Sequence, residues 1–362
     1  MTIYVGYLAE NSSGYSQAGY NYLMALQQNA HKFSLYPISG FVNWRLAPHW
    51  TAPLSEWTGE LGIPRDVALL HHCPDMIPSL PIVAKKTIAI TTLETSIVPK
   101  WIIKTLNESS LSVVCFPSQF NDDVFKTSGL TKPTAVIPHT IGPWWWEDAP
   151  SLAPDPQRPY TFAYVGTWNS RKNPEGIVRA YLDAFPKETG ETCLLIKTYV
   201  GASVNTYIND MIANRSDIFI YNEMFNENQV KWFHLMADSY VSAHRGEGFG
   251  LGLLQAKLLG KRVIYTNWSA PTEFCSSEMG DSPLEYEITD VKGMDEKHNH
   301  FRTFETIQWA DPSHNHLVET MISHARTGRR DPSTLAWLND YRQKYSWKTV
   351  GAQLDSLIKE VA

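Results

Sequence analysis

Glu247 heads the run Glu247-Gly248-Phe249-Gly250-Leu251, which puts a carboxylate, a flexible backbone and the start of a helix side by side. Glycines there allow the main chain to approach a ligand closely. The helix N-terminus offers unpaired N–H groups and about half a positive charge. That combination suits a phosphate held beside a fixed carboxylate. Arg171 and Lys172 stand just before a second helix start, Asn173-Pro174-Glu175. Two fixed cations there would neutralise a diphosphate, the arginine through a planar fork of donors. The bland readings are a βαβ unit whose glycines serve turns, and an Arg-Lys pair on a solvated surface.

The elements that must position these groups follow from periodicity. Ser239–His244 reads as a strand, and Leu251, Leu254 and Leu258 form one stripe of a short helix. Gly260 supplies its left-handed stop, and Arg262–Asn267 reads as the next strand. Upstream, 3–9 predicts a first strand, followed by a helix carrying Tyr20, Leu23 and Leu26. Further strands are predicted at 33–38, 67–72, 87–91, 112–116 and 134–138, with helices from Pro99 and after Ser118. Residues 143–160, with three consecutive tryptophans and five prolines in a turn-rich stretch, read as a linker. The tryptophans either stack on a sugar or base or plug the hinge.

Alternation resumes with a strand at 161–166, a helix from Pro174, and strands at 193–199 and 218–221. Asn226 with Gln229 predicts a capping box. Residues 276–308 read as loops with a short hairpin. Asp311-Pro312 and Pro332 are expected to open helices, and Ser346 to cap a last one. Strands alternating with helices, twice over, predict an α/β protein of two doubly wound Rossmann-like domains, with ligands at the C-terminal ends of the strands.

With Glu247 and Gln255 separated by seven residues, the stretch resembles the E-x7-E signature of retaining GT-B glycosyltransferases, the "glycosyl transferases group 1" or family 4 type. Glu247, Gly248, Phe249, Gly250, Leu251, Leu254 and Ala256 match its E-G-F-G-L-P-x-L-E-A pattern. Gly252 replaces the proline and Gln255 the second glutamate. Residues 91–142 are similar to the N-terminal half of the same family, and Gly166 to Lys172 looks like its G-x-x-x-x-R-K element.

The resemblance implies a GT-B fold: an acceptor domain over 1–150, a nucleotide-sugar domain over 151–345, a cleft between them, and a helix over 346–362 crossing back to the first domain. It implies that Arg171 and Lys172 bind the donor pyrophosphate, Glu247 the donor sugar and Gln255 the ribose hydroxyls. Gly248, Phe249, Gly250 and Leu251 belong to the same donor loop. Gly14, and Thr272 with Glu273 in a segment similar to the family's G-x-x-E, would reach the donor phosphates and sugar. Glu94 falls where family members carry a histidine or glutamate facing the sugar. It either orients or deprotonates an acceptor hydroxyl or pairs with Lys100 or Lys104. His71, His72 and Trp44 are candidates on the acceptor side.

The activity expected is transfer of a hexose-type sugar from a UDP- or GDP-sugar to a hydroxyl of a glycan or lipid-linked glycan, without metal. No D-x-D motif is present, and the helix dipole and the two cations would stand in for the ion. Two alternatives stay open. One is a glycosyltransferase acting on a hydroxymethylated base in viral DNA, with Arg45 and Trp50 as contacts. The other is a non-catalytic sugar-nucleotide-binding protein, suggested by Gln255.

A net charge of −6 gives no general pull toward nucleic acid. Four scattered cysteines without a C-x-x-C pair indicate neither disulfide framework nor zinc site. No apolar run approaches ~18 residues. A soluble, cytoplasmic protein without a transmembrane segment is expected.

Overall fold

The computed structural model describes residues 2–8, 14–28, 32–38, 65–80, 84–147, 157–198, 206–292 and 306–362. Trp44, Arg45 and Trp50 lie outside them. The chain divides into two units, Met1–Pro143 with Asp340–Ala362, and Trp144–His298 with Thr306–Asn339.

In the first unit β1 (Thr2–Leu8), β2 (Lys32–Ile38), β3 (Arg65–His71), β4 (Ala84–Ile90), β5 (Val113–Phe116) and β6 (Thr134–Val136) form a parallel sheet in the order β2-β1-β3-β4-β5-β6. β5 is buried throughout, as a covered parallel strand must be. Helices α1 (Gly14–Gln27), α2 (Lys100–Glu108) and α3 (Gln119–Thr127) connect the strands. Ser118 caps α3 by accepting the Asn121 N–H, and Gly129 at φ +102° ends its run. Ile102, Leu106, Phe116 and Phe125 share one core cluster.

The second unit repeats the plan with β7 (Tyr160–Val165), β8 (Thr192–Lys197), β9 (Ile218–Tyr221), β10 (Ser239–Ser242), β11 (Arg262–Thr266) and β12 (Ser282–Leu284). These run parallel in the order β12-β11-β10-β7-β8-β9. The order reverses between β7 and β10, so the switch point of this sheet, where ligands of doubly wound folds bind, lies at those two strands. Helices α4 (Pro174–Ala184), α5 (Thr206–Ile212), α6 (Glu227–Met236) and α7 (Leu251–Leu258) make the connections. α6 carries the expected capping box between Asn226 and Gln229, and Gly260 adopts φ +72° after α7.

Two sequence expectations are corrected. Asp311-Pro312 opens no helix: it ends strand β14 (Gln308–Pro312), which pairs antiparallel with β13 (Tyr286–Asp290). Proline restricts the residue before it to extended backbone, and the helix α8 (His314–Thr327) waits for Ser313 as its cap. Pro332 begins only a 3-10 turn, Pro332–Thr334; the next helix is α9 (Leu338–Lys344). Ser346 caps α10 (Trp347–Val361), which packs on α1 within the first unit. Trp145, in the predicted linker, is fully buried and donates to Glu227 of the second unit at 3.0 Å.

Candidate functional site

Glu247 leaves β10 at its C-terminal end, and the loop after β7 arrives beside it. Lys172 Nζ donates to Glu247 Oε1 at 2.5 Å, and Arg171 stands 3.9 Å from the other carboxylate oxygen. Burial would raise the Glu247 pKa, but Lys172, His244 and Arg171 outweigh it and hold the carboxyl below its ordinary value. The carboxylate is therefore charged and buried, with two cations against it.

Both loops are fastened to each other. Arg171 donates to the Gly246 carbonyl at 2.8 Å, and the Arg245 N–H donates to the Arg171 carbonyl at 2.7 Å. Asn173 takes a left-handed turn at φ 54°, accepts the Gly176 N–H to cap α4, and donates to the Ala243 carbonyl at 3.0 Å. A Cβ on Gly176 would come within 2.5 Å of the Asn173 amide, so the cap depends on glycine there.

The start of α7 is capped differently. Gly250 occupies the cap position at φ +98° and has no side chain to accept a bond. The first backbone bond closing this helix is Leu254 N–H to the Gly250 carbonyl. The N–H groups of Leu251, Gly252 and Leu253 precede it, as the orphan donors of a helix start do. Pro271, on the 3-10 turn Ala270–Glu273, closes over Gly250, where an added Cβ would meet it at 3.2 Å. Thr272 and Glu273 on that turn are exposed. Phe249 is buried against Phe274 at 5.2 Å and anchors the loop. Gln255 is buried on α7, beside His234 of α6.

Sequence reasoning missed three residues here. Arg245 bonds to Asp311 at 2.6 Å and to the Ser170 carbonyl, lies over Trp309, and so ties the site to the β13–β14 hairpin. Ser269, at φ 64°, accepts the Glu247 N–H at 3.1 Å. His244 is buried beside Glu247, its pKa lowered to about 4 chiefly by burial. Of these, Arg245 and His244 adjoin the glycine run, the one signal that pointed to them.

The first-unit candidates gather at the C-terminal ends of β3 and β4. His71 is buried between the rings of Tyr15, Tyr22 and His139. Burial, with His139 and His72 beside it, lowers its pKa well below the ordinary range, against the opposing Tyr15 backbone. His72 accepts the Cys73 N–H at 2.7 Å. Glu94 is half-buried in the loop after β4, whose backbone is pinned by Asn121 accepting the Leu93 N–H at 2.7 Å. Tyr15 bonds to the Thr92 carbonyl and brings the start of α1, with exposed Gly14, to the same edge. Among the described residues no group of three His, Cys, Asp or Glu side chains could hold a metal, and no helix is long and apolar enough to cross a membrane.

No family model and no curated protein matches the chain. Solved structures do. HepE of Anabaena, in complex with UDP and glucose, superposes with a TM-score of 0.66 at 10% identity over 99% of this chain and 100% of that one. A sucrose-phosphate synthase from Thermosynechococcus elongatus gives 0.66 at 11% identity, covering 99% and 98%. TarM of S. aureus, in complex with UDP among other ligands, gives 0.56 at 12% identity over 81% of this chain. The chain spans 55% of the length of TarM. The fold is thus GT-B, as the sequence resemblance implied.

Proposed function

We propose that this GT-B chain is a retaining glycosyltransferase that takes a sugar from a nucleotide-diphosphate sugar and passes it to an acceptor hydroxyl. The observation that carries the reading is Glu247, charged and buried against Lys172 and Arg171 at the switch point of the second sheet. A diphosphate fits between the two cations and the N–H groups at the start of α7, where dipole and charge act together. The sugar carbon then lies toward Glu247, whose carboxylate stabilises oxocarbenium character as the diphosphate departs. Gln255 takes the ribose hydroxyls through its amide, which both donates and accepts. Gly248 to Leu251, with Thr272 and Glu273, surround the donor, and fixed cations supply the positive charge without metal. The first unit takes the acceptor at the edge where His71, His72 and Glu94 gather, with Gly14 on the donor side. Residues 1–150, 151–345 and 346–362 make up acceptor domain, donor domain and return helix.

HepE and TarM were solved with UDP, which makes UDP-sugars the first donors to try. The test incubates the protein with UDP-, GDP-, ADP- and dTDP-sugars and measures nucleotide release without added metal. Release from one donor, lost in Glu247→Ala, is the expected result. Tight binding of a sugar nucleotide with no release in the presence of any glycan acceptor would replace a transferase by a sensor.

A further inference from the structure

We propose that Tyr240 is a positioning residue for the donor site, its hydroxyl tying the two lips of the switch-point crevice together. The proposal rests on the donor reading above and goes beyond it in naming what sets the site's width. Main-chain pairing between β10 and β7 joins Ser239 with Phe162 and Tyr240 with Ala163. Beyond that point the Tyr240 hydroxyl reaches Val165: it donates to the Val165 carbonyl at 3.0 Å and accepts the Val165 N–H at 3.4 Å. Val165 is the last residue of β7, and the loop to Arg171 and Lys172 begins after it. The same hydroxyl occupies the space beside Gly252, in the first turn of α7: a Cβ there would lie 2.3 Å from the oxygen and 3.1 Å from the ring carbon bearing it. One oxygen thus touches the strand end that launches the cations and the helix start that offers its N–H groups.

Two features make this a fixed spacer. The ring is fully buried and lies flat against His234, with centroids 4.9 Å apart and planes at 20°. The phenol also stays protonated, since burial raises its pKa, so it keeps both a donor and an acceptor for Val165 at all working pH values. Removing the oxygen leaves the Val165 N–H and carbonyl without that partner and lets α7 settle toward β7. The crevice then fits a diphosphate less well, while Glu247, Lys172 and Arg171 remain in place.

A double-mutant cycle on Tyr240→Phe and Gly252→Ala tests this, read as the UDP dissociation constant by calorimetry and as kcat and KM for the donor. Tyr240→Phe is expected to weaken UDP and raise the donor KM about tenfold, with kcat within about threefold, because it disturbs binding rather than the reacting groups. Gly252→Ala alone should weaken UDP at least as much, its methyl group displacing the hydroxyl from Val165. In the Tyr240→Phe background the same alanine should cost clearly less than it does in the wild type, since the oxygen is absent and only the ring carbon at 3.1 Å remains to be accommodated. A hydroxyl with only a stabilising role would move the thermal midpoint and leave KM and UDP affinity as they were. Wild-type UDP affinity in Tyr240→Phe, or losses that add in the double variant, would overturn the proposal. If the wild-type protein bound no nucleoside diphosphate, the donor reading would fall first and this inference with it.

Discussion

Glu247 and Lys172 neutralise each other across 2.5 Å, with Arg171 at 3.9 Å, so the two cations proposed to bind a diphosphate already face an anion. A nucleoside diphosphate must compete with that carboxylate for Lys172. Replacing it by a neutral isostere removes both the competitor and the group proposed to stabilise the reacting sugar. Glu247→Gln is therefore expected to lower kcat by about 100-fold or more while tightening UDP binding about tenfold, a gain of about 1.4 kcal/mol. Calorimetry with UDP alone separates the two effects. Weaker UDP binding in this variant would show that Glu247 organises the cations rather than competing with the diphosphate. The triad itself was legible in the sequence, because glycines, a carboxylate and an Arg-Lys pair each stand beside a helix start. Arg245, Ser269 and Tyr240 were not legible, because their roles arise from contacts between residues far apart in the chain. Ser269 could not be read as a left-handed residue from its type, and nothing local marks Tyr240 as the partner of Gly252.

At the scale of elements, α10 depends on one close approach to α1. A Cβ on Gly351 would lie 2.2 Å from the Ala25 carbonyl oxygen, a backbone atom that cannot move aside. Trp347 donates to Asn21 at 2.8 Å, one turn earlier on the same face, and Leu354 and Ile358 are buried beyond it. Gly351→Ala must push the helices apart, and such overpacking costs about 1–3 kcal/mol. Urea denaturation should show the lower midpoint; an unchanged one would mean that the helices do not meet this closely. The alternation of strands and helices was readable because covered parallel strands give continuous apolar runs and capped helices announce their starts. It failed at Asp311-Pro312, where an acidic residue before proline resembles a helix start. Trp309 and Ala310 are buried in β14, and the Ala310 N–H donates to the Arg245 carbonyl, so a contact distant in sequence selects the strand. Pro332 misled for a local reason: Asp331 accepts both the Ser333 N–H and its hydroxyl, and the turn closes on itself instead of extending.

Across the whole molecule the buried histidines bias stability in one direction. His139 and His234 are lowered to about 3, and His244 and His324 to about 4, in each case chiefly by burial. His71 and His72 are lowered for the same main reason. His139, His234, His244 and His324 stay neutral in the folded protein at pH 5, whereas an unfolded histidine, near 6.5, is almost fully protonated there. Unfolding therefore takes up protons, and acidification from pH 7 pulls the equilibrium toward the unfolded chain. Glu227 acts in the opposite sense. Burial raises it to about 7, so the folded protein holds a proton that the unfolded chain releases above about 4.5. The histidines outnumber it, and a net uptake of about three protons or more at pH 5 is expected. That corresponds to a loss of roughly 4 kcal/mol per pH unit between pH 6 and 5. Calorimetric unfolding at pH 5 in two buffers of different ionisation enthalpy reads this number directly, summed over both transitions if the units melt separately. His139→Gln should remove nearly one proton from the total. A total near zero at pH 5 would mean that these imidazoles already carry their protons in the folded protein, and the neutral, buried cluster around His71 would have to be abandoned with them.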